Sequence, residues 1–362
     1  MTHTPTPTTI TVSIPARGAQ TYPIHVGSGL RRRVGEMVSR IHAPCRTLLL
    51  TDDTVEALYA ETVTASLSEA GFSVVRRVIP HGEASKSAAH LIELLEAMAD
   101  EHLTRSDLLV ALGGGVVGDL GGFCAAVYQR GIDFIQIPTT LLAMVDASVG
   151  GKTAIDLKAG KNLCGAFHQP ALVVCDTDCL ATIPPEILAD GMAEVIKYAF
   201  INDRPLFDLL QGDAAANIAE VIRLCIEDKS KLVEADETDK GVRQLLNLGH
   251  TVGHAIEACS DFAISHGSAV AMGMVIITRA AVKTGLCSEE TLSSLLALLD
   301  KYHLPTECPF TAEQLYAVAQ GDKKRAGGSL TLVVPYGVAD SRLVTVPVDA
   351  LEGYIRAGLS DE

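Results

Sequence analysis

Three histidines lie close together in the sequence, and imidazole is a common ligand of transition metals. His250 and His254 are four residues apart and share one face if the segment is helical, and His266 follows within seventeen residues of His250. Neutral imidazoles and one carboxylate make the usual catalytic zinc site, which keeps a position open for substrate. Glu194 is the candidate carboxylate, and Lys197 shares its helical face. The alternative is that the three histidines only pack. The local enrichment favours a metal site.

A run of glycines, GGGVVGD at residues 113–119, directly follows the predicted strand Leu108–Leu112. Glycines at a strand-to-helix turn let backbone N–H groups approach a pyrophosphate, and the start of the next helix favours negative charge. The spacing differs from the usual Gly-x-Gly-x-x-Gly dinucleotide motif, and a tight turn chosen for packing is the alternative. We predict that a cofactor phosphate is bound at this turn, and the candidate cofactor-binding residues are Gly114, Gly115, Val116, Val117, Gly118 and Asp119.

Charged residues near the ends of two other predicted strands are candidates for contact with a nucleotide. Asp52 follows one strand and is placed to accept a ribose hydroxyl, although capping the next helix is the interpretation that we favour for Asp52 alone. The segment that contains Glu83 and Lys86 offers a similar choice. Ser85 caps the next helix in the simpler interpretation, whereas Glu83 and Lys86 reach a cofactor in the other.

Hydroxyl, carboxylate and ammonium groups are concentrated among glycines between residues 137 and 162. A solvated surface loop is the default interpretation of each residue alone, but Gly beside Lys brings both backbone N–H groups and an ammonium to an anion. We therefore predict recognition of a phosphate or a carboxylate by a set that comprises Thr139, Thr140, Asp146, Lys152, Lys161 and Asn162.

Further cations fall in or near these motifs, although the chain is acidic. They are Arg130, Lys197, Lys229, Arg243, Lys323 and Lys324. If the cations converge, they form a positive pocket for a multiply anionic small molecule. Solvated surfaces would equally explain Lys229, Lys323 and Lys324.

Strands and helices alternate in the first half of the chain, which predicts a largely parallel α/β sheet with ligands at the carboxyl ends of its strands. Short apolar runs that end at Gly, Pro or Asp predict the strands Arg46–Thr51, Ser73–Ile79, Leu108–Leu112, Phe134–Ile137 and Ala171–Cys175. Amphipathic segments predict helices between them, such as Thr54–Ala70 and Ser85–His102.

The second half has a helical pattern. From Glu186 to about Leu299 apolar residues recur at every third or fourth position. Two short strands, Leu330–Val334 and Leu343–Val346, and a terminal helix follow. We therefore predict an α/β domain over residues 1–182, of which 1–9 are disordered, and a mainly helical domain over residues 183–362, with the site in the cleft between them. The fold class is α/β plus all-α.

Composition excludes several classes of protein. The 29 Lys and Arg against 44 Asp and Glu give a net charge of −15, which argues against a nucleic-acid or anionic-membrane partner. Nine scattered cysteines without a Cys-x-x-Cys pair indicate reduced thiols. The first residues lack the basic and apolar parts of a secretion signal, and the longest charge-free run, Phe262–Thr278, contains His266. We expect a soluble, cytoplasmic protein.

Five segments together resemble the 3-dehydroquinate synthase family of sugar phosphate cyclases. They are GGGVVGD (113–119), YQRGIDFIQIPTTLLAMVDASVGGKTAID (128–156), GKNLCGAFHQP (160–170), GMAEVIKYAFI (191–201) and RQLLNLGHTVGHAIE (243–257). Because they are long and ordered along the chain, the resemblance covers about residues 20–350 and is more specific than one glycine loop. It implies a Rossmann-like NAD-binding domain, a helical domain with one divalent metal (zinc or cobalt), and a homodimer.

The resemblance also implies an activity, that of a phosphorus–oxygen lyase of the shikimate pathway of aromatic amino acid biosynthesis. The family converts 3-deoxy-D-arabino-heptulosonate 7-phosphate to 3-dehydroquinate and phosphate. NAD oxidises a hydroxyl, phosphate is eliminated, the hydride returns, and an intramolecular aldol step closes the ring.

Residue roles follow from the family pattern. Glu194, His250 and His266 match metal ligands, whereas His254, which spacing alone favours as a ligand, matches an acid/base position. Substrate positions are matched by Arg130, Asp146, Lys152, Asn162, Lys197, Lys229, Arg243, Asn247 and Lys323. Of these, three join His254 as catalytic candidates: Lys152, Arg243 and Asn247. Cofactor positions are matched by Asp119, Thr139, Thr140, Lys152, Lys161 and the stretch around Cys179 to Thr182.

Three alternatives stay open on the sequence alone. A valiolone-type or deoxy-inosose synthase would share fold, NAD and metal but diverge at substrate positions. This chain keeps the dehydroquinate-type residues there, which we take to select a carboxylate substrate: Arg130, Arg243, Asn247 and His254. An iron-type alcohol dehydrogenase would not need the crowded anion-binding lysines. An inactive NAD-binding regulator would lack a metal ligand, and every expected ligand is present.

Overall fold

Six of the described strands form one parallel sheet. A computed structural model of the chain describes residues 18, 20–323 and 328–359. Its strands are β1 (Ile24–Gly27), β2 (Arg46–Asp52), β3 (Ser73–Ile79), β4 (Leu108–Gly113), β5 (Asp133–Pro138), β6 (Lys152–Leu157), β7 (Gly160–Phe167), β8 (Leu172–Asp176), β9 (Ser329–Gly337) and β10 (Asp340–Pro347). The sheet order is β1-β8-β5-β4-β2-β3, and its pairs are parallel. The five predicted strands are confirmed as β2, β3, β4, β5 and β8.

Helices lie between these strands and fill most of the chain after the sheet. They are α1 (Val34–Ser39), α2 (Asp53–Val55), α3 (Glu61–Glu69), α4 (Ala88–Asp100), α5 (Gly115–Val127), α6 (Pro185–Ile201), α7 (Arg204–Gln211), α8 (Ile218–Ala235), α9 (His250–Cys259), α10 (His266–Lys283), α11 (Glu289–Lys301), α12 (Ala312–Lys323) and α13 (Ala350–Gly358). The fold class, α/β followed by a helical part, is confirmed. No helix of the described residues is long and apolar enough to cross a bilayer.

The predicted helical stretch from 186 to 299 is interrupted between α8 and α9. There the Asp236 carboxylate accepts hydrogen bonds from the backbone N–H groups of Lys240, Gly241 and Arg243. These bonds replace helical ones, so the chain turns sharply and re-enters a short 3-10 helix, Val242–Asn247, before α9. The strands predicted near residues 330 and 343 are confirmed as the antiparallel pair β9 and β10, and α13 is the predicted terminal helix. The disorder predicted for residues 1–9 lies outside the described residues.

Three strands, β1, β6 and β7, are not predicted from the sequence. β1 has four residues, too few to show a pattern, and lies at the edge of the sheet. β6 and β7 form an antiparallel hairpin apart from the main sheet. The interpretation of the Gly- and Lys-rich segment as a loop is therefore wrong. Thr153 of β6 packs so closely on α5 that a Cβ on Gly122 would lie 2.4 Å from Thr153 Cγ2, and this contact holds the hairpin in place.

The parallel sheet is buried on both faces, as its continuous apolar strands require. One face packs on α5, with Leu48 and Leu109 in the same core cluster as Leu120. The other face belongs to a larger cluster that contains Leu49 and, from α6, Val195. Both halves of the chain contribute to that cluster, and the boundary at residue 182 stays a prediction.

Helix α6 is pressed against the segment that follows β5. A Cβ on Gly191 would lie 2.7 Å from both Leu141 Cβ and the backbone nitrogen of Leu142. This close approach holds α6, and with it Glu194, near the carboxyl end of the sheet.

Candidate metal and anion site

Three predicted metal ligands converge although they come from three helices. Glu194 lies in the middle of α6, and His250 and His266 are the first residues of α9 and α10. One donor atom of each lies within 4.8 Å of the other two. Glu194 Oε1 is 3.5 Å from His250 Nε2 and 3.3 Å from His266 Nε2. Two imidazoles and a carboxylate suit zinc or cobalt.

Glycines bring α9 and α10 together backbone to backbone. Gly249, which precedes α9, has a φ of +79°, in the left-handed region, and a Cβ there would lie 2.7 Å from the Val270 carbonyl oxygen. A Cβ on Gly273 would lie 2.1 Å from the carbonyl oxygen of Gly249. Only glycine permits this approach, which places the rings of His250 and His266 5.2 Å apart, centroid to centroid.

The Glu194 carboxylate is fully buried, and neither of its oxygens accepts a hydrogen bond from the described residues. Lys197, one turn on, forms an ion pair with Oε2. Burial alone would raise the pKa of Glu194, but the charge of Lys197 holds it well below its usual range. A buried carboxylate whose oxygens accept no hydrogen bond from the described residues, and which faces two imidazole nitrogens, is what a divalent cation would satisfy. The residues present therefore fit the metal that the family pattern implies.

The two histidine ligands have opposite electrostatic environments. Burial and the charge of Lys197 lower the pKa of His250 to about 3. Burial also opposes charge on His266, but the carboxylates of Glu194 and Glu257 outweigh it and raise its pKa to about 10. His250 is therefore neutral at physiological pH, as a metal ligand must be. The two carboxylates beside His266 favour a positive charge at that position, which a proton or a metal ion can supply.

His254 lies in a second group rather than with Glu194. Its donor atom, with those of Glu257 and His266, forms a separate cluster within 4.8 Å. Its ring centroid is 5.4 Å from that of His250 and 6.1 Å from that of His266. The geometry thus separates His254 from the set that contains Glu194, against the expectation from spacing alone.

Glu257 is a residue that the sequence interpretation missed. It is buried in α9, and its Oε2 lies 3.2 Å from His266 Nδ1. Its Oε1 accepts a hydrogen bond of 3.2 Å from Lys161 Nζ of β7. The signal was present, because Glu257 stands three residues after His254 and so shares its helical face.

Several predicted anion-binding residues form one buried network. Lys229 Nζ donates to Asp146 Oδ1 at 2.7 Å and to its carbonyl oxygen at 2.6 Å, and Tyr198 Oη donates to the same Oδ1 at 2.8 Å. Burial would raise the pKa of Asp146, yet Lys229 and Lys197 hold it well below its usual range. Burial, with the charges of Lys197 and Arg243, lowers the pKa of Lys229. The cations are thus close enough to repel one another.

Arg243 and Lys152 are held by the segment between α8 and α9. Buried Arg243 donates to the carbonyl oxygens of Glu237 (2.6 Å) and Gly150 (3.1 Å). Lys152, whose side chain is 53% exposed, pairs with Asp239. Because Lys152 is exposed and has one ion-pair partner among the described residues, an incoming anion can compete for it. Asp239 was not singled out from the sequence.

The turns after β4 and β5 meet because these two parallel strands are neighbours in the sheet. Thr139 N donates to Gly113 O at 3.0 Å, and a Cβ on Gly114 would lie 3.3 Å from Thr140 Cγ2. α5 begins at Gly115, so its first backbone N–H groups point out of this turn. Val117 itself is buried, which leaves only its backbone for a ligand.

A buried ion pair stands beside this turn. Lys86 Nζ lies 2.6 Å from Asp119 Oδ2 and 3.8 Å from Glu83 Oε1. Burial raises the pKa of Asp119, although Lys86 acts against it. The helix after this segment is capped by Ser87, which accepts from His90 N, so the interpretation of Ser85 as the cap is wrong. Ser85 lies instead inside a short 3-10 helix.

Asp52 caps α2, the interpretation favoured from the sequence. Its Oδ1 accepts from the backbone N–H groups of Thr54 (3.0 Å) and Val55 (2.8 Å). Cys179 and Thr182 lie on a 3-10 helix after β8. Tyr59 Oη donates to the Cys179 carbonyl oxygen at 3.3 Å and contacts the Thr182 hydroxyl.

Three predicted residues are not joined to this network. Among the described residues, the exposed side chain of Arg130 makes no hydrogen bond or ion pair, and the same holds for the side chains of Asn162 and Asn247. Arg130 and Asn162 have positive φ values, 69° and 58°. Lys323 ends α12, but its side chain lies outside what the structure describes, as does Lys324.

Solved structures with the same fold define the class of protein. A 2-epi-5-epi-valiolone synthase from Streptomyces hygroscopicus, with NAD+ and Zn2+ bound, has a TM-score of 0.86 and 28% identity over 96% of this chain and 99% of that chain. A 2-deoxy-scyllo-inosose synthase in complex with carbaglucose-6-phosphate, NAD+ and Co2+ has a TM-score of 0.82 and 26% identity over 93% of this chain and 97% of that chain. The fold is that of the sugar phosphate cyclases.

Sequence comparison identifies the family. Models described as 3-dehydroquinate synthase N-terminal and C-terminal match residues 76–190 and 191–325. The 3-dehydroquinate synthase of Rhodospirillum rubrum is 46% identical over 351 residues, 92% of this chain and 90% of that protein. The chain therefore belongs to the 3-dehydroquinate synthase family.

Proposed function

We propose that this protein converts 3-deoxy-D-arabino-heptulosonate 7-phosphate to 3-dehydroquinate and inorganic phosphate, with NAD and one divalent ion, zinc or cobalt. The observation that carries the proposal is the convergence of Glu194, His250 and His266. The family match and the NAD+ and metal of the two related cyclases support it. When bound, NAD takes and returns a hydride and the divalent ion stabilises negative charge on substrate oxygens.

The cations beside the metal site suit a substrate with a phosphate and a carboxylate. Lys197 and Lys229 are buried, where an anion is attracted more strongly than in water. Arg243 offers a planar guanidinium that matches a carboxylate or a phosphate, and its Nε has no hydrogen-bond partner among the described residues. We assign these residues, with Lys152 and Asp146, to binding and orienting the substrate.

We assign proton transfer to His254. It is exposed and lies beside His250 and His266 without sharing Glu194 with them. An imidazole is suited to take a proton from a substrate hydroxyl or to give one to a leaving group. Asn247, at the end of the 3-10 helix before α9, is assigned to orienting the substrate.

We place NAD at the carboxyl ends of β2, β4 and β5. The backbone of the Gly114–Gly118 turn suits the pyrophosphate, and Thr139 and Thr140 border it. Asp52 uses Oδ1 for its helix cap, which leaves Oδ2 for a ribose hydroxyl. We assign Cys179 and Thr182 to NAD binding as well. The remaining candidates for NAD binding are Glu83, Lys86, Asp119 and Lys161.

We also propose a homodimer in the cytoplasm, as the family resemblance implies. Light scattering after size-exclusion chromatography tests the dimer. A mass of about twice the chain's 38.2 kDa is expected, and a mass of one chain would contradict it.

Product analysis tests the activity. The purified protein, with NAD and zinc, should release one phosphate and form one 3-dehydroquinate per heptulosonate phosphate consumed, without net NADH. The matched comparison is a heptulose phosphate that lacks the carboxylate. Turnover of this sugar phosphate and not of the heptulosonate phosphate would refute the proposal in favour of a related cyclase.

A further inference from the structure

The imidazole of His266 is engaged from both sides. Its Nε2 faces Glu194 Oε1 at 3.3 Å, whereas its Nδ1 faces Glu257 Oε2 at 3.2 Å. The Glu257 side chain is nearly fully buried, and its second oxygen, Oε1, is bound by Lys161 Nζ at 3.2 Å. The ammonium of Lys161 also lies 4.5 Å from the centre of the Phe262 ring. Glu257 therefore joins the β6–β7 hairpin to the predicted metal ligand.

We propose that Glu257 is a positioning residue for His266 and that Lys161 fixes Glu257 in that role. A carboxylate at Nδ1 accepts the ring's proton there, so the lone pair is left on Nε2, which points at the metal site. The same contact fixes the plane of the ring. The inference rests on the proposed metal site and extends it to a residue that touches neither metal nor substrate.

The competing assignment makes Glu257 a ligand of a second metal, together with His254 and His266. Two contacts disfavour it. A cation on Glu257 would meet the ammonium of Lys161, which lies on the same carboxylate. His266 Nδ1, moreover, cannot donate a proton to Glu257 and bind a metal with the same nitrogen.

Metal affinity tests the inference without reference to turnover. We would measure zinc dissociation constants by competition with a chromogenic chelator for the wild type, Glu257→Ala, Glu257→Gln and Lys161→Met. Glu257→Ala should bind zinc about 10–100-fold more weakly. Glu257→Gln, whose amide oxygen can still accept from Nδ1, should lose less. Lys161→Met should weaken binding in the same direction, and adding it to Glu257→Ala should bring little further loss.

Controls separate the possible failures. Glu313→Gln removes an exposed carboxylate that pairs with Arg356, and it should leave the zinc affinity unchanged. The absorption spectrum of the cobalt-loaded protein should change in Glu257→Ala and not in Glu313→Gln, and a circular dichroism spectrum shows that each variant is folded. If wild type takes up no metal, the proposed site fails. If wild type binds one zinc and Glu257→Ala binds it within twofold, the inference alone is overturned. Two zinc ions per wild-type chain and one in Glu257→Ala would also overturn it.

Discussion

The buried ion pair of Glu194 and Lys197 provides a prediction of defined magnitude. Both side chains are at most 1% exposed, and they lie one turn apart on α6. At about 4 Å and an effective dielectric constant of about 20, such a pair attracts by about 4 kcal/mol. Removing one partner leaves the other charge buried and unpaired, which typically costs about 3–5 kcal/mol. We therefore expect Lys197→Met to destabilise the chelator-treated protein by about that amount.

A double-mutant cycle in urea, followed by circular dichroism in the presence of a chelator, measures the effect. Glu194→Gln combined with Lys197→Met should cost at least about 2 kcal/mol less than the sum of the two single substitutions, because neither charge is then left alone. Saturating zinc should reduce the loss in Lys197→Met, since the ion replaces the missing positive charge beside Glu194. The exposed pair of Glu220 and Arg223, with the same helical spacing, is the matched control, and Glu220→Gln should hardly move the midpoint. A loss below about 1 kcal/mol in Lys197→Met, or strict additivity, would refute the reasoning.

Three further predictions concern pH, packing and substrate binding. Burial and nearby Asp203 raise the pKa of Asp228 to about 6 despite Lys231, so the folded protein holds this proton more tightly than the unfolded chain. The free energy of unfolding should therefore fall by about 3 kcal/mol as pH rises from about 4 to about 6. In Asp228→Asn, urea unfolding over the same pH range should not show this fall. Gly273→Ala should lower the free energy of unfolding by about 1–3 kcal/mol and weaken zinc binding, because the new Cβ would collide with the backbone of α9. Thermal unfolding and chelator competition measure the two effects. Gly353→Ala is the control, since its Cβ would meet no atom within 4 Å, and it should change neither quantity. Lys152→Ala should lower kcat/KM about 10–100-fold without moving the unfolding midpoint, since a charge-assisted contact to substrate is lost at a half-exposed site; unchanged steady-state kinetics would contradict its assignment.

The parts of the fold that were predicted from the sequence are those whose pattern is local. β4 and β8 are buried apolar runs, which the sequence shows directly. His250 and His254 lie on one helix, α9, and their spacing of four residues matches the helical period. The hairpin of β6 and β7 could not be predicted in this way. Its strands mix small, polar and apolar residues, and its position depends on contact with Gly122 of α5, which is distant in sequence.

The candidate site shows the same division. The ligand set was predicted from residue types and the family pattern, and the structure brings it together. Asp239, the partner of Lys152, comes from a pairing across the fold that no local pattern contains. Glu257, the partner of His266, had only its helical spacing from His254 as a signal, and that spacing does not show which residue it contacts. Asp52 illustrates the reverse case, since an N-cap is decided within three residues and was correctly favoured.

The measurement that tests the central claim most directly is a zinc titration of the metal-free protein, with phosphate release from the heptulosonate phosphate followed in the presence of NAD. The account predicts that the rate rises in proportion to zinc and levels off at one equivalent per chain, and that His266→Ala, if folded, shows no such rise at the same concentrations. Full phosphate release by the metal-free protein, or an unchanged titration in His266→Ala, would contradict it.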